Sequence, residues 1–304
     1  MTTDKKLIVI QGPTASGKTA LGVSLAKHFN TVIISADSRQ FYKEMAIGTA
    51  KPDLKEMDGI IHHFIDSHSI AEPISAFQFG MEANQILKEE FKSKSVIIVV
   101  GGSGLYIEAL CKGFDEIPHD SKIQNEIIMD YEKNGLQSFL DELKKKDPVF
   151  YDSVDKKNTH RILRSIEAIR ITNKKISDLR ISSKKQHDYQ VITYTLMPER
   201  QFLYQLINKR VDIMMQNGLF EEAKNLFEFR DLRTLKTVGY QEIFDHLEGN
   251  ISLDKAIELI KQHTRNFAKR QCTWFLNRTK SKVINFTEKN NQKLLETLLA
   301  DFNY

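Results

Sequence analysis

This sequence predicts an α/β protein, a parallel sheet wrapped by helices and interrupted by an inserted helical segment. Three observations carry that expectation. Short apolar runs rich in branched residues alternate with helix-period stretches, as strand–helix–strand units require. The first of these runs, Leu7 to Ile10, leads straight into GPTASGKT at Gly12 to Thr19, which matches the phosphate-gripping loop pattern G-x-x-x-x-G-K-[ST]. From Glu116 to Gln190 the strand pattern vanishes and polar, helix-period sequence replaces it.

Taken in order, LIVI reads as a buried strand, and a helix pattern follows the loop from Lys18 to Phe29. Further strands are expected at VIIS (Val32 to Ser35), HHFI (His62 to Ile65) and VIIVV (Val96 to Val100). The inserted segment ends in SSKKQHD, a linker-like stretch, before VITYTL (Val191 to Leu196) resumes the sheet. Beyond Met197 the pattern is mostly helical, through ERQFLYQLINKRVDIMMQNGLFEEAKNLF and a long segment from Leu253 to Lys280, until KVINF (Lys282 to Phe286) returns to the sheet. The expected organisation is a P-loop NTPase-like α/β core with C-terminal helices, residues 1–115 and 191–304, and a helical subdomain at 116–190.

Composition bounds the function. The 304 residues, 41% of them hydrophobic, can bury a large core. Two cysteines, Cys111 and Cys272, lack metal-ligand spacing and suit a reducing, cytoplasmic compartment. No apolar run approaches membrane-spanning length, and the N-terminus has too short an apolar stretch for a signal peptide. A net charge of +4 is only mildly basic, so any nucleic-acid role must rest on where the charges lie. The adjacent His62 and His63 point to opposite faces of a strand and read as structural rather than as a metal site.

The loop dictates its own chemistry. Backbone N–H groups and the positive helix end favour an anion, Lys18 adds a mobile charge, and the Thr19 hydroxyl is placed to bind Mg²⁺. An ordinary P-loop NTPase also has an apolar strand ending in Asp. Here VIIVV runs instead into GGSGLY at Gly101 to Tyr106, and the acid appears after the other strand, as Asp37 in SADSRQFY. Asp37 sits beside the phosphate loop if the two strands are neighbours. At the carboxyl ends of such a sheet, Gly12 to Thr19, Asp37 and Ser103 converge. From the residues alone, Asp37 is equally a turn cap, a carboxylate behind the Mg²⁺ ligands or a base.

GPTASGKT, SADSRQFYKEMAIGTAKP, GGSGLY, HRILRSIE, VGYQE and TRNFAKRQCTWF together resemble the bacterial tRNA dimethylallyltransferases over nearly the whole chain. The resemblance implies that the loop (Gly12, Pro13, Thr14, Ala15, Ser16, Gly17, Lys18 and Thr19) grips the diphosphate of dimethylallyl diphosphate, with Mg²⁺ as cofactor and no nucleoside triphosphate consumed. It implies that the acceptor is the exocyclic amine of the adenosine immediately 3′ to the anticodon, flipped into one end of a channel while the donor enters the other. Asp37 matches the family's general base, with Lys18 and Thr19 serving the leaving group. His160, Arg161, Ile162, Leu163 and Arg164 match its tRNA-contacting segment, and Ser103 stands where the family carries a tRNA-facing hydroxyl. A cytoplasmic monomer that binds the anticodon stem-loop is expected.

Beside the resemblance, the residues add their own reading. Ser38, Arg39 and Gln40 follow Asp37 and offer donors to an adenine or its neighbours. Lys261, Arg265 and Lys269 recur at i, i+4 and i+8 beside Arg270, a stripe suited to phosphates. Trp274 and Phe275 lie in an amphipathic pattern and read as core. Lys236, just before VGYQE, adds a candidate phosphate contact. The chain departs from the family's YxGMDIGT at Glu44 and Ala46. Two other classes compete: a P-loop enzyme acting on a small molecule such as AMP, which needs no helical insertion, and an RNA-binding nucleotide switch, for which no switch signature is present.

Overall fold

The computed structural model describes residues 4–114, 117–179, 187–288 and 290–302. Strands form where branched apolar residues cluster: β1 (Lys6–Gln11), β2 (Ile33–Ser35), β3 (His62–His63), β4 (Val96–Gly101), β5 (Gln190–Pro198) and β6 (Lys282–Phe286). They pair in parallel in the order β3-β2-β4-β1-β5-β6. The condition that β1 and β2 be neighbours is therefore not met, because β4 lies between them. A parallel return needs a crossover, and the chain uses it to skip one position and leave room for β4.

The helices follow in chain order. The first unit has α1 (Lys18–His28), the single turn α2 (Leu54–Met57), α3 (Ala76–Glu90) and α4 (Gly104–Lys112). Then come α5 (Ser121–Asn134), α6 (Gln137–Lys146), α7 (Pro148–Ser153), α8 (Thr159–Thr172) and α9 (Ile176–Leu179). After β5 stand α10 (Arg200–Gln216), α11 (Leu219–Asn225), α12 (Gln241–Leu247), α13 (Leu253–Arg278) and, beyond β6, α14 (Asn291–Leu299).

Alternation along the strands divides the core. Leu7, Val9, Ile34, Ile97 and Val99 pack on one face with Phe79, Leu110 and Phe275. Ile8, Ile10, Ile33 and Ile98 pack on the other with Leu21, Leu25, Leu294 and Leu298. Each such buried side chain contributes about 1.5–3 kcal/mol, and burial on both faces explains why these strands read as continuous apolar runs. A third cluster joins α10 to α13 through Val211, Leu219, Tyr240, Ile243 and Ile260.

The chain divides into two compact units, Met1–Cys111 with Gln186–Tyr304, and Lys112–Lys185. These bounds fall a few residues before the expected 116 and 190. The reason is local: the His187 ring bonds the Cys111 carbonyl at 2.7 Å and stacks on Tyr189, so the chain rejoins the first unit before β5. In the linker-like SSKKQHD, Ser182 to Gln186 lie outside the described residues. The second unit is helical, with its own core of Ile127, Phe139, Leu143, Phe150, Ile162 and Ile166.

Candidate active site

Within the first unit, the loop from Gly12 to Thr19 joins β1 to α1. Gly17 takes a left-handed conformation (φ 84°) and supplies no side-chain cap, and no acidic residue occupies the first turn. The leading N–H groups of α1 are left for an anion. Lys18 Nζ is parked on the Pro13 carbonyl at 2.7 Å, with Ser16 Oγ at 3.4 Å. Gly12, Pro13 and Ser16 are buried behind the loop, while Thr14, Ala15, Gly17, Lys18 and Thr19 line a cavity of about 720 Å³.

Two side chains tie three loops together despite the intervening strand. Gln271 on α13 accepts from Thr14 N at 2.8 Å and donates to the Gly102 carbonyl at 2.9 Å, bridging the loops after β1 and β4. The Ser103 hydroxyl accepts from Ser38 N at 2.9 Å and donates to Ser38 Oγ at 3.1 Å, bridging the loops after β4 and β2. Gly104 is required by close approach, since a Cβ there would lie 2.1 Å from Trp274 Nε1. Asp37, Lys18 and Arg210 thereby share one charged cluster. Arg210 on α10 donates to Thr14 Oγ1 at 3.1 Å.

Burial sets the electrostatics. Loss of hydration raises the Asp37 carboxyl above its ordinary value, against the pull of the Arg39 N–H and the Lys18 charge. It lowers Lys18 to about 8, with Asp37 opposing and Arg210 reinforcing the drop. Arg210 is likewise lowered by burial. A carboxylate made more basic stands beside an ammonium made more acidic, the arrangement of a site that handles protons and anions together.

A second cavity, of about 400 Å³, opens beside the first. The two share Thr14, Asp37, Thr49, Ala50, Arg210 and Met214. The larger is cationic at Lys18, Lys209 and Arg210 and apolar at Ile47, Ile65 and Ile213. The smaller is walled by Tyr106, Phe267 and Trp274 and edged by Ser38, Arg39, Ser103 and Arg270, a setting for a planar, polar-edged ring. The donor set also fits a Mg²⁺ carried in on phosphate oxygens: Thr19, Asp53 and Glu56 line the larger cavity. No group of three His, Cys, Asp or Glu side chains that could hold a metal occurs among the described residues, and Mg²⁺ on phosphates needs no such cage.

Several expected residues have other employment. Arg39 donates to the Thr234 carbonyl at 2.8 Å, and the Gln40 amide donates to Thr49 and Ala50 carbonyls at 3.2 and 3.0 Å, so both shape loops. Lys236 is exposed and lines neither cavity; its neighbours Thr237, Val238 and Gly239 line the smaller one. Lys261 is paired with Asp212 and Glu258, and Arg265 bonds Asn208, which reduces the stripe to Lys269 and Arg270. Those two lie with Thr273, Trp274 and Arg278 along an outer groove of α13. Phe275 is core as expected, whereas Trp274 is only partly buried and lines both that groove and the smaller cavity. Glu44 accepts from Ser69 Oγ and Ile70 N and so braces its own loop. His62 and His63 bond Ile60 and Glu90 separately.

In the second unit, Ile162 is fully buried and Leu163 packs against the same core, so Ile162 has no surface to offer RNA. Arg164 donates to the Ile117 and Pro118 carbonyls at 2.8 Å each and pairs with the buried Glu167 at 2.8 Å. Its guanidinium is spent inside the unit. His160 is exposed, and the Arg161 guanidinium lies 5.8 Å from the Phe150 ring centre.

Sequence reasoning missed Arg210 and Gln271. A signal existed for each: Leu203, Ile207, Arg210 and Met214 share one face of α10, and Ala268, Gln271 and Phe275 share one of α13. A polar residue on an apolar stripe marks a buried polar contact.

Comparison with known proteins adds relatives. The IPP transferase family model matches residues 40–279. A tRNA dimethylallyltransferase of Christiangramia forsetii is 43% identical over 298 residues, covering 98% of each chain. Among solved structures, a full-length tRNA isopentenylpyrophosphate transferase of Bacillus halodurans superposes with a TM-score of 0.73 at 35% identity, over 98% of this chain and 95% of the other. A eukaryotic dimethylallyltransferase acting on tRNA gives 0.81 at 26% identity, over 98% of this chain and 79% of the other.

Proposed function

Because the chain belongs to the IPP transferase family, we propose that it moves the dimethylallyl group of dimethylallyl diphosphate onto N6 of the adenosine immediately 3′ to the anticodon. Prenyl transfer to an adenosine of tRNA is the reaction of that family. The observation that carries the finer reading is the pair of cavities meeting at Asp37, one lined by the Gly12–Thr19 loop and Lys18 and one by aromatic side chains.

The donor's diphosphate lies on the loop N–H groups, with Lys18 and Arg210 against its charge. The adenine enters the aromatic cavity with its amine toward Asp37. N6 bonds to the allylic carbon as the carbon–oxygen bond to diphosphate breaks, and the N6 proton passes to the Asp37 carboxylate. A raised pKa makes that carboxylate a better base for a weakly nucleophilic amine. Charge growing on the departing diphosphate is met by the loop, Lys18 and Arg210. Thr19 would hold Mg²⁺, which when bound neutralises diphosphate charge. Ser38 and Ser103 border the base, while Lys269, Arg270, His160 and Arg161 supply tRNA contacts. The protein acts as a cytoplasmic monomer; no helix among the described residues is long and apolar enough to cross a membrane.

One assay tests the reading. The protein is incubated with dimethylallyl diphosphate and either unmodified tRNA or AMP, without ATP, and the adenosine is analysed by mass. Prenylated tRNA with unmodified AMP is expected. Prenylated AMP, or no product until ATP is added, would overturn it.

A further inference from the structure

The segment from Ala46 to Ala50 walls both cavities: Gly48, Thr49 and Ala50 face the smaller, and Ala46, Ile47, Thr49 and Ala50 the larger. It contains no helix or strand; turn bonds from Ala50 N to the Ile47 carbonyl and from Lys51 N to the Ala46 carbonyl hold it locally, and partners from other elements fix the N–H groups of Ala46 to Gly48. Three successive N–H groups converge on one carboxylate. Ala46 and Ile47 donate to Glu222 Oε2 at 3.0 and 2.8 Å, and Gly48 donates to Oε1 at 2.9 Å. The buried Tyr240 adds its hydroxyl to Oε1 at 2.6 Å. Each oxygen therefore takes two donors. Gly48 lies so close to the Tyr240 ring that a Cβ would come within 2.6 Å of it.

Every one of the four partners is a donor, and a carboxylate is the side chain that only accepts. Consecutive N–H groups form a concave anion site, and bonds to a charged acceptor are about twice as strong as neutral ones. At the segment's other end Gln40 grips the carbonyls of Thr49 and Ala50. Neither Glu222 nor Tyr240 lines a cavity, so any effect on the reaction passes through the loop.

We propose that Glu222, braced by Tyr240, is a positioning residue for prenyl transfer: it orders Ala46 to Gly48 and so fixes the partition between donor and acceptor cavities. The inference rests on the two-cavity reading above. A loop displaced by about 1 Å would spoil the alignment of the reacting atoms, an error worth about 100-fold in rate.

The test compares wild type, Glu222→Gln and Tyr240→Phe by hydrogen–deuterium exchange over the loop, thermal melting, binding of inorganic diphosphate and single-turnover transfer to tRNA. Glu222→Gln presents an NH₂ to N–H donors. It is expected to exchange the Ala46 to Gly48 amides faster and lose about 10- to 100-fold in transfer rate, with diphosphate affinity retained. Tyr240→Phe removes one donor without opening a cavity and should show both effects at smaller size, which keeps the test decisive if Glu222→Gln does not fold. Unchanged loop exchange would overturn the proposal. So would faster exchange with a transfer rate per folded molecule within about twofold of wild type, the signature of a purely structural contact. If the wild type fails to prenylate tRNA, the reaction assignment falls, while the exchange data still decide whether Glu222 orders the loop.

Discussion

Donor binding should be strongly pH-dependent, because Lys18 is the phosphate loop's own charge and burial lowers it to about 8. One pH unit above that value only about one-tenth of the free protein carries the ammonium. If the charged form alone grips diphosphate, apparent affinity falls about tenfold per unit above pH 8, or about 1.4 kcal/mol. The sign follows from the depressed pKa: grip is complete below it and lost as pH rises through it. A phosphate proton with a pKa near 6 is already gone in this range, so the ligand's own titration does not imitate the effect. Calorimetric titration with dimethylallyl diphosphate, without tRNA, from about pH 7 to about pH 9.5 reads the slope. Lys18→Arg keeps its charge throughout and should bind with pH-independent, if weaker, affinity. A flat wild-type profile, or the same slope in Lys18→Arg, would refute the assignment.

Asp37→Asn should lose about 10²- to 10⁴-fold in single-turnover rate with donor and tRNA affinities retained. Its rate should not recover with added Mg²⁺, and it should lack the acid limb that the raised Asp37 pKa gives wild type. Arg210→Ala removes the bond to Thr14 and a charge that lines the larger cavity, so donor affinity should fall about 10- to 100-fold, the worth of a charge-assisted bond; equal affinities by titration would count against it. Lys269→Ala, which removes an exposed charge from the outer groove, should reduce the salt dependence of tRNA binding by up to about one unit of slope. Arg164→Ala should leave that slope alone and cost about 2 kcal/mol in denaturant unfolding, because it removes the ion pair to Glu167 Oε2 and the bonds to the Ile117 and Pro118 carbonyls.

Strand positions were legible because burial on both faces writes itself as unbroken runs such as VIIVV, and the phosphate loop because its backbone geometry demands particular residues at fixed spacing. Strand order was not: nothing in VIIS or LIVI reveals that β4 comes between them, since pairing depends on the sheet as a whole. The same gap hid Gln271, whose partners Thr14 and Gly102 lie 257 and 169 residues away. At Lys261, Arg265 and Arg164 the sequence displays a basic face but not the acid, amide and carbonyl partners that the fold brings to it. A side chain's type predicts what it can bond, and only the assembled chain says whether it is spoken for.

The bond from His187 to the Cys111 carbonyl has a consequence for how the chain acquires its shape. Those two residues are where the first unit lets the chain go and takes it back, with the whole of Lys112–Lys185 between them. Bringing together the ends of a flexible excursion of about 70 residues costs roughly (3/2)RT ln n, near 4 kcal/mol. A helical core that forms within that excursion brings its two ends nearer before the sheet closes, so β1 and β5 can pair without meeting the full entropy of an unfolded stretch of that length. Seen this way, the excursion is a cassette. A short Gly/Ser bridge between Cys111 and His187 should spare the sheet and its phosphate loop, and diphosphate binding by the shortened chain would then report on the first unit alone.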